Sequence, residues 1–179
     1  MALTTHIALL RGVNVGGRKA VSMAALRGFA AEIGLSDPRT LLQSGNLVFQ
    51  SDAAPAELEA RLEAEAERRL GLTTRFMVRT AAAWDAILAA NPFGEAAERD
   101  PSHLVVMALK GAPDGAAVEA LSAAIPGRET LAAHARELYI VYPDGMGGSK
   151  LTGALIERRL GLQGTARNWN TARKLAEMT

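Results

Sequence analysis

Six residues recur unchanged in the two halves of this chain: Glu67-Arg68-Arg69-Leu70-Gly71-Leu72 and Glu157-Arg158-Arg159-Leu160-Gly161-Leu162. Each copy closes an amphipathic stretch, and the Leu-Gly step is a helix stop, because glycine takes the left-handed conformation that ends a helix. A repeat placed at equivalent points of two similar element orders constrains the fold more than any composition does. It implies one supersecondary unit used twice.

The flanking patterns supply that unit. Thr5–Arg11 is a short apolar run ending at Gly12, which reads as a buried strand. Met23, Leu26, Phe29, Ala30 and Ile33 form a helical stripe over residues 22–33, stopped by Gly34. Residues 39–43 and 47–51 flank Ser44-Gly45-Asn46 as a hairpin. Pro55 opens a helix that runs to Leu70, residues 73–79 alternate as a strand, and residues 81–90 form a further helix. The second half repeats the order: strand 103–109, helix 114–125, hairpin strands 128–133 and 137–142, helix 149–160, strand 163–167 and helix 169–178. The expected fold class is α+β, a tandem duplication of a ferredoxin-like β-α-β-β-α-β unit, each copy followed by an extra helix. The expected organisation is residues 1–90, a connector over 91–102 containing Asn91-Pro92-Phe93, and residues 103–179.

Among 179 residues there is no cysteine, which excludes disulfides and thiol chemistry and suits a reducing cytoplasm. No apolar run has the length of a membrane span, and the amino terminus lacks a basic region before its apolar stretch. A cytoplasmic protein with no membrane partner is expected. Net charge is +1, so the chain is not a general polycation. Both ends are nevertheless basic. Arg11, Arg18, Lys19 and Arg27 precede the first acid, Glu32, and Lys150, Arg158, Arg159, Arg167, Arg173 and Lys174 dominate the last thirty-odd residues.

Three segments carry candidate binding residues. Gly12–Lys19 joins a strand to a helix, where backbone N–H groups can hold an anion beside Arg11, Asn14, Gly16, Gly17 and Lys19. The structural alternative is a turn requiring positive φ at Gly16 or Gly17, with the arginines in solvent. Gly145–Lys150 has the same character. Ser149 is placed as the N-cap of the following helix, and Lys150 one step inside it opposes the helix dipole unless an anion lies between. Arg167, Asn168, Trp169 and Asn170 combine a cation, two amides and an indole. Either the indole stacks on a base or it fills the core. The Gln43–Asn46 turn reads as structural.

No catalytic constellation is visible. His6, His103 and His134 lack metal-ligand spacing, no nucleophile elbow is present, and the acids of Glu57–Glu67 read as a solvated helix face. No metal or cofactor is expected. The readings that remain are binding of a nucleotide or other phosphate-bearing small molecule at the glycine-basic loops, a single-stranded nucleic-acid module, an enzyme on a phosphorylated substrate, and a structural or partner-binding protein. An RNA-reading sheet carries aromatics on its strands, whereas residues 48–50 offer only Phe49, and Tyr139 and Tyr142 sit in the other unit; that favours the small molecule.

Ala8-Leu9-Leu10-Arg11-Gly12-Val13-Asn14-Val15-Gly16-Gly17, Leu42-Gln43-Ser44-Gly45-Asn46-Leu47-Val48-Phe49, Asn91-Pro92-Phe93, Ser149-Lys150-Leu151 and Arg167-Asn168-Trp169-Asn170-Thr171 follow one another in order. On these motifs, spread from about Thr5 to Leu175, the chain resembles the domain-of-unknown-function family 1697. The resemblance implies a duplicated ferredoxin-like fold and implies no activity.

Overall fold

The computed structural model describes residues 2–179, and these divide into two compact units. The first comprises the chain through Ala86 together with Leu175–Thr179; the second is Ile87–Lys174.

The first unit begins with strand β1 (Thr4–Leu10), helix α1 (Met23–Glu32), strands β2 (Ser36–Leu41) and β3 (Asn46–Ser51), helix α2 (Pro55–Leu70) and strand β4 (Phe76–Thr80). The strands form one antiparallel sheet in the order β2-β3-β1-β4. Ala8, Leu10, Leu47, Phe49, Phe76 and Val78 point from the sheet into a core filled by Leu26 and Phe29 of α1 and Leu58 and Leu62 of α2. Ile7, Leu9, Val48 and Met77 on the other face are buried as well. That double burial is why β1 and β3 read as near-continuous apolar runs rather than alternating ones. Helix α1 starts where the Ser22 hydroxyl accepts the Ala25 N–H at 3.0 Å, and α2 stops at Gly71 in the left-handed region, φ 61°. Helix α3 (Ala81–Ala89) follows.

Beyond the end of α3 the second unit carries helix α4 (Gly94–Arg99) and a 3-10 turn (Pro101–His103), so the expected connector over 91–102 holds structure of its own. The chain then forms β5 (Leu104–Leu109), α5 (Gly115–Ala123), β6 (Thr130–His134), β7 (Glu137–Val141), α6 (Gly153–Leu160), β8 (Gly164–Asn168) and α7 (Trp169–Glu177). Its antiparallel sheet has the order β6-β7-β5-β8, the counterpart of β2-β3-β1-β4 position for position. The second copy of the hexapeptide again ends its helix at a left-handed glycine, Gly161 with φ 67°. The chain is therefore α+β, with two four-stranded antiparallel sheets and seven α-helices among the described residues.

One element differs from expectation where it bears on a binding residue. Helix α6 starts at Gly153, not at Ser149, and its N-cap is Thr152, whose hydroxyl accepts the Leu155 N–H at 3.2 Å. Ser149 is spent elsewhere: its hydroxyl donates to Glu129 at 2.6 Å and accepts the Leu151 N–H at 3.0 Å. Lys150 consequently lies before the helix, and the dipole argument drawn from its position falls away.

Candidate functional site

The residues singled out from the sequence fall into three places. In the first unit, Arg11, Asn14, Gly16, Gly17 and Lys19 occupy the loop that leaves the carboxyl end of β1. The Arg11 backbone N–H donates to the Arg75 carbonyl at 3.0 Å and its own carbonyl accepts the Thr74 hydroxyl at 2.6 Å. Asn14 is a staple. Its Nδ2 donates to the Val21 and Gln43 carbonyls at 2.9 and 2.7 Å, while Oδ1 accepts the Val21 N–H at 2.8 Å. Gly16 and Gly17, at φ 57° and 74°, make a tight reversal closed by the Arg18 N–H on the Val15 carbonyl at 3.0 Å. Two consecutive positive φ values are the type I′ geometry, which glycine adopts without strain. The reversal is separated from the first turn of α1 by Arg18–Ser22, so the glycine pair does not sit at the helix terminus. Arg18 and Lys19 are exposed and make no ion pair among the described residues.

In the second unit, Ser149 and Lys150 line a cleft of about 310 Å³ together with Pro126, Glu129, Asp144 and Gly145. Two loops build it: the run into β6 and the run out of β7. Tyr142 anchors the second loop, its hydroxyl donating to the Leu151 carbonyl at 2.9 Å and its N–H to the His103 carbonyl at 2.8 Å. Burial, with Glu129's charge behind it, pushes the Tyr142 phenol up to about 12, so the anchor stays protonated. Glu129 holds Ser149, and Asp144 is clasped by Arg128 through one guanidinium edge, Nε lying 3.1 Å from Oδ2 and Nη2 on Oδ1. That bond holds the Asp144 carboxyl below its usual range. Lys150 alone of the charged lining groups has no hydrogen-bond or ion-pair partner among the described residues. Sequence reasoning missed Glu129 and Asp144. Neither stands in a motif, and only the convergence of two hairpin-end loops brings them beside Ser149 and Lys150.

The third group lies on β8 and the start of α7. Arg167 lies in β8, 7% exposed, its Nη1 donating to the Thr165 hydroxyl at 2.7 Å and the Ala166 carbonyl at 2.9 Å. Loss of solvation lowers its pKa to about 10. Asn168 caps α7 by accepting the Thr171 N–H at 3.0 Å. Trp169 is 4% exposed, so the core reading holds and its indole offers no face to a nucleic-acid base. Asn170 is exposed.

The comparisons agree with the motif reading. The family model described as "Protein of unknown function (DUF1697)" matches residues 3–139. The chain belongs to this family. Among solved structures, this DUF1697 protein is similar to the conserved bacterial protein SP0830 from Streptococcus pneumoniae, with 24% identity over 99% of each chain and a TM-score of 0.78. At that identity the likeness concerns the fold alone. No curated protein matches the DUF1697 chain described here. Among the described residues no helix is long and apolar enough to cross a membrane, and no group of three or more His, Asp or Glu side chains could hold a metal ion.

Proposed function

We propose that this protein binds a phosphate-bearing small molecule in the second-unit cleft, with Lys150 taking the anionic group and Glu129 taking a hydroxyl donor of the same ligand. The observation that carries this reading is the unpartnered Lys150 ammonium facing a wall whose other charges are already engaged, Asp144 by Arg128 and Glu129 by Ser149. Glu129 spends one oxygen on Ser149 and keeps acceptor capacity for the ligand. The volume of about 310 Å³ is at the small end of ligand pockets, which suits a sugar phosphate better than a dinucleotide. Two carboxylates on the wall select against a bare polyanion such as an oligonucleotide backbone. Ser149 acts here as a positioning residue that holds Glu129.

The same reading takes the fold as a tandem ferredoxin-like duplication over residues 1–90 and 103–179, joined by 91–102, in a cytoplasmic protein. Its support is the matched strand order, the repeated hexapeptide with its left-handed glycine, and the absence of cysteine. Thermal denaturation in the presence of inorganic phosphate, ribose 5-phosphate, AMP and a neutral sugar tests the function. A ligand at a hundred times its Kd stabilises by about 2.7 kcal/mol, so the sugar phosphate should raise the melting temperature and the neutral sugar should not. Equal melting curves in all four would end the reading.

A further inference from the structure

Strain collects at one end of the first unit. Among the described residues, five non-glycine side chains stand at positive φ, and three of them, Asn14 at 55°, Lys19 at 47° and Leu42 at 59°, lie in the β1–α1 loop and the β2–β3 turn. Asparagine tolerates this conformation; leucine, with its bulkier side chain, is strained in it. Backbone strain of this kind persists where surrounding contacts hold it, and it gathers at functional surfaces. The holding contact is visible: Asn14 ties the two loops together through the Gln43 carbonyl at 2.7 Å.

The staple fixes what the two loops present. Val15, next to Asn14, is 65% exposed, and Leu42, next to Gln43, is 52% exposed; both rank among the few large aliphatic side chains left in solvent. Arg18 and Lys19 stand free beside them, and neither loop carries an acid. Gly16 and Gly17 are exposed and make no backbone hydrogen bond through their N–H groups among the described residues.

We propose that this stapled double loop is a docking surface for an acidic protein segment carrying an aliphatic side chain. Carboxylates of the segment pair with Arg18, Lys19 and the glycine N–H groups, and its aliphatic residue packs between Val15 and Leu42. Two aliphatic side chains are too little apolar area to anchor on a bilayer. Among the described residues, no aromatic side chain stands exposed at this end to stack a base. An acidic, partly apolar polypeptide matches both the charge and the apolar component. This surface lies in the other unit from the cleft and does not depend on it.

The test titrates the whole protein with three synthetic dodecapeptides, glutamate-rich with two leucines, glutamate-rich without leucine, and lysine-rich with two leucines, reading amide shifts and fluorescence anisotropy. Vesicles of anionic phospholipid and a single-stranded oligonucleotide serve as competitors. The Glu/Leu peptide should shift Gly16, Gly17 and Leu42, and bind at least tenfold tighter than either other peptide. Leu42→Gly removes both the side chain and the strain. That variant should bind tenfold more weakly with a melting temperature equal to or above wild type. Arg18→Glu with Lys19→Glu should abolish binding, and Lys150→Ala should leave it unchanged. Equal affinity for the three peptides, full affinity in Leu42→Gly, or tighter binding of vesicles or oligonucleotide would each overturn the proposal.

Discussion

The Glu59 carboxylate of α2 accepts the backbone N–H of Val78 in β4 at 2.9 Å, standing in for the strand that a sheet edge lacks. One helical turn on, Glu63 does the same for Phe76 at 3.0 Å, and in the second unit Glu157 accepts the Gly164 N–H of β8 at 2.8 Å. Strands β4 and β8 are both sheet edges. Each is closed by a helix carboxylate, which satisfies buried donors and blocks edge-to-edge association.

The first expectation follows directly. Glu59→Ala leaves the Val78 donor buried and unpaired, a cost of about 1–3 kcal/mol. It also removes the carboxylate 3.7 Å from the buried Arg79, so the loss should sit at or above the top of that range. Glu59→Gln keeps an acceptor and should lose less than half as much. Urea unfolding of both variants measures the difference, and size-exclusion chromatography should show the alanine variant more prone to associate.

Those carboxylates also show where the amino-acid sequence is legible and where it is not. The acids of α2 follow helix spacing, which reads as a solvated face; nothing in the spacing says that a sheet edge lies alongside Glu59 and Glu63. Local chemistry is easier to read. Pro55, Gly71 and Gly161 mark helix ends because their backbone preferences act within one turn. Ser149 misleads for the same reason: it and Thr152 are both competent caps, and the choice between them is made by Glu129, which lies twenty residues away in the hydrogen bond to Ser149. The cleft was half visible, through Ser149 and Lys150, and its acidic wall was not.

His6 should make the protein acid-sensitive. It is 1% exposed, stacked on Phe49 with ring centroids 5.5 Å apart, and its Nδ1 has no partner among the described residues. Burial lowers its pKa, against a weaker pull from the Ser51 carbonyl. The folded state then binds fewer protons than the unfolded one, so stability rises with pH and is lost as pH falls below about 6.5, the unfolded value. Urea midpoints from pH 8 to pH 5 should fall for wild type more steeply than for His6→Leu.

Two glycines of different duty should respond oppositely to the same substitution. A Cβ on Gly45, already at φ 88°, would stand 2.7 Å from a Val13 methyl and 2.9 Å from the Leu10 Cβ. Gly45→Ala should cost about 2–4 kcal/mol, positive-φ strain and overpacking together. Gly28, inside α1 with open space around it, should gain roughly 0.5–1 kcal/mol as alanine. Paired denaturation curves check both signs.

Trp169→Ala should behave as a core truncation, losing about 3–5 kcal/mol of stability. A melting curve near wild type would mean that the indole is not packed as its burial indicates.

Binding at the cleft is the centre of this account, and it turns on Lys150. Calorimetric titration of ribose 5-phosphate into wild type and Lys150→Ala, at two salt concentrations, tests it most directly. The expected result is wild-type binding that weakens as salt rises, because charge attraction near the surface is screened over about 8 Å at physiological ionic strength. Lys150→Ala should bind at least tenfold more weakly, about 1.4 kcal/mol, at an unchanged melting temperature. No heat of binding in wild type, or the same Kd in both proteins, would contradict it.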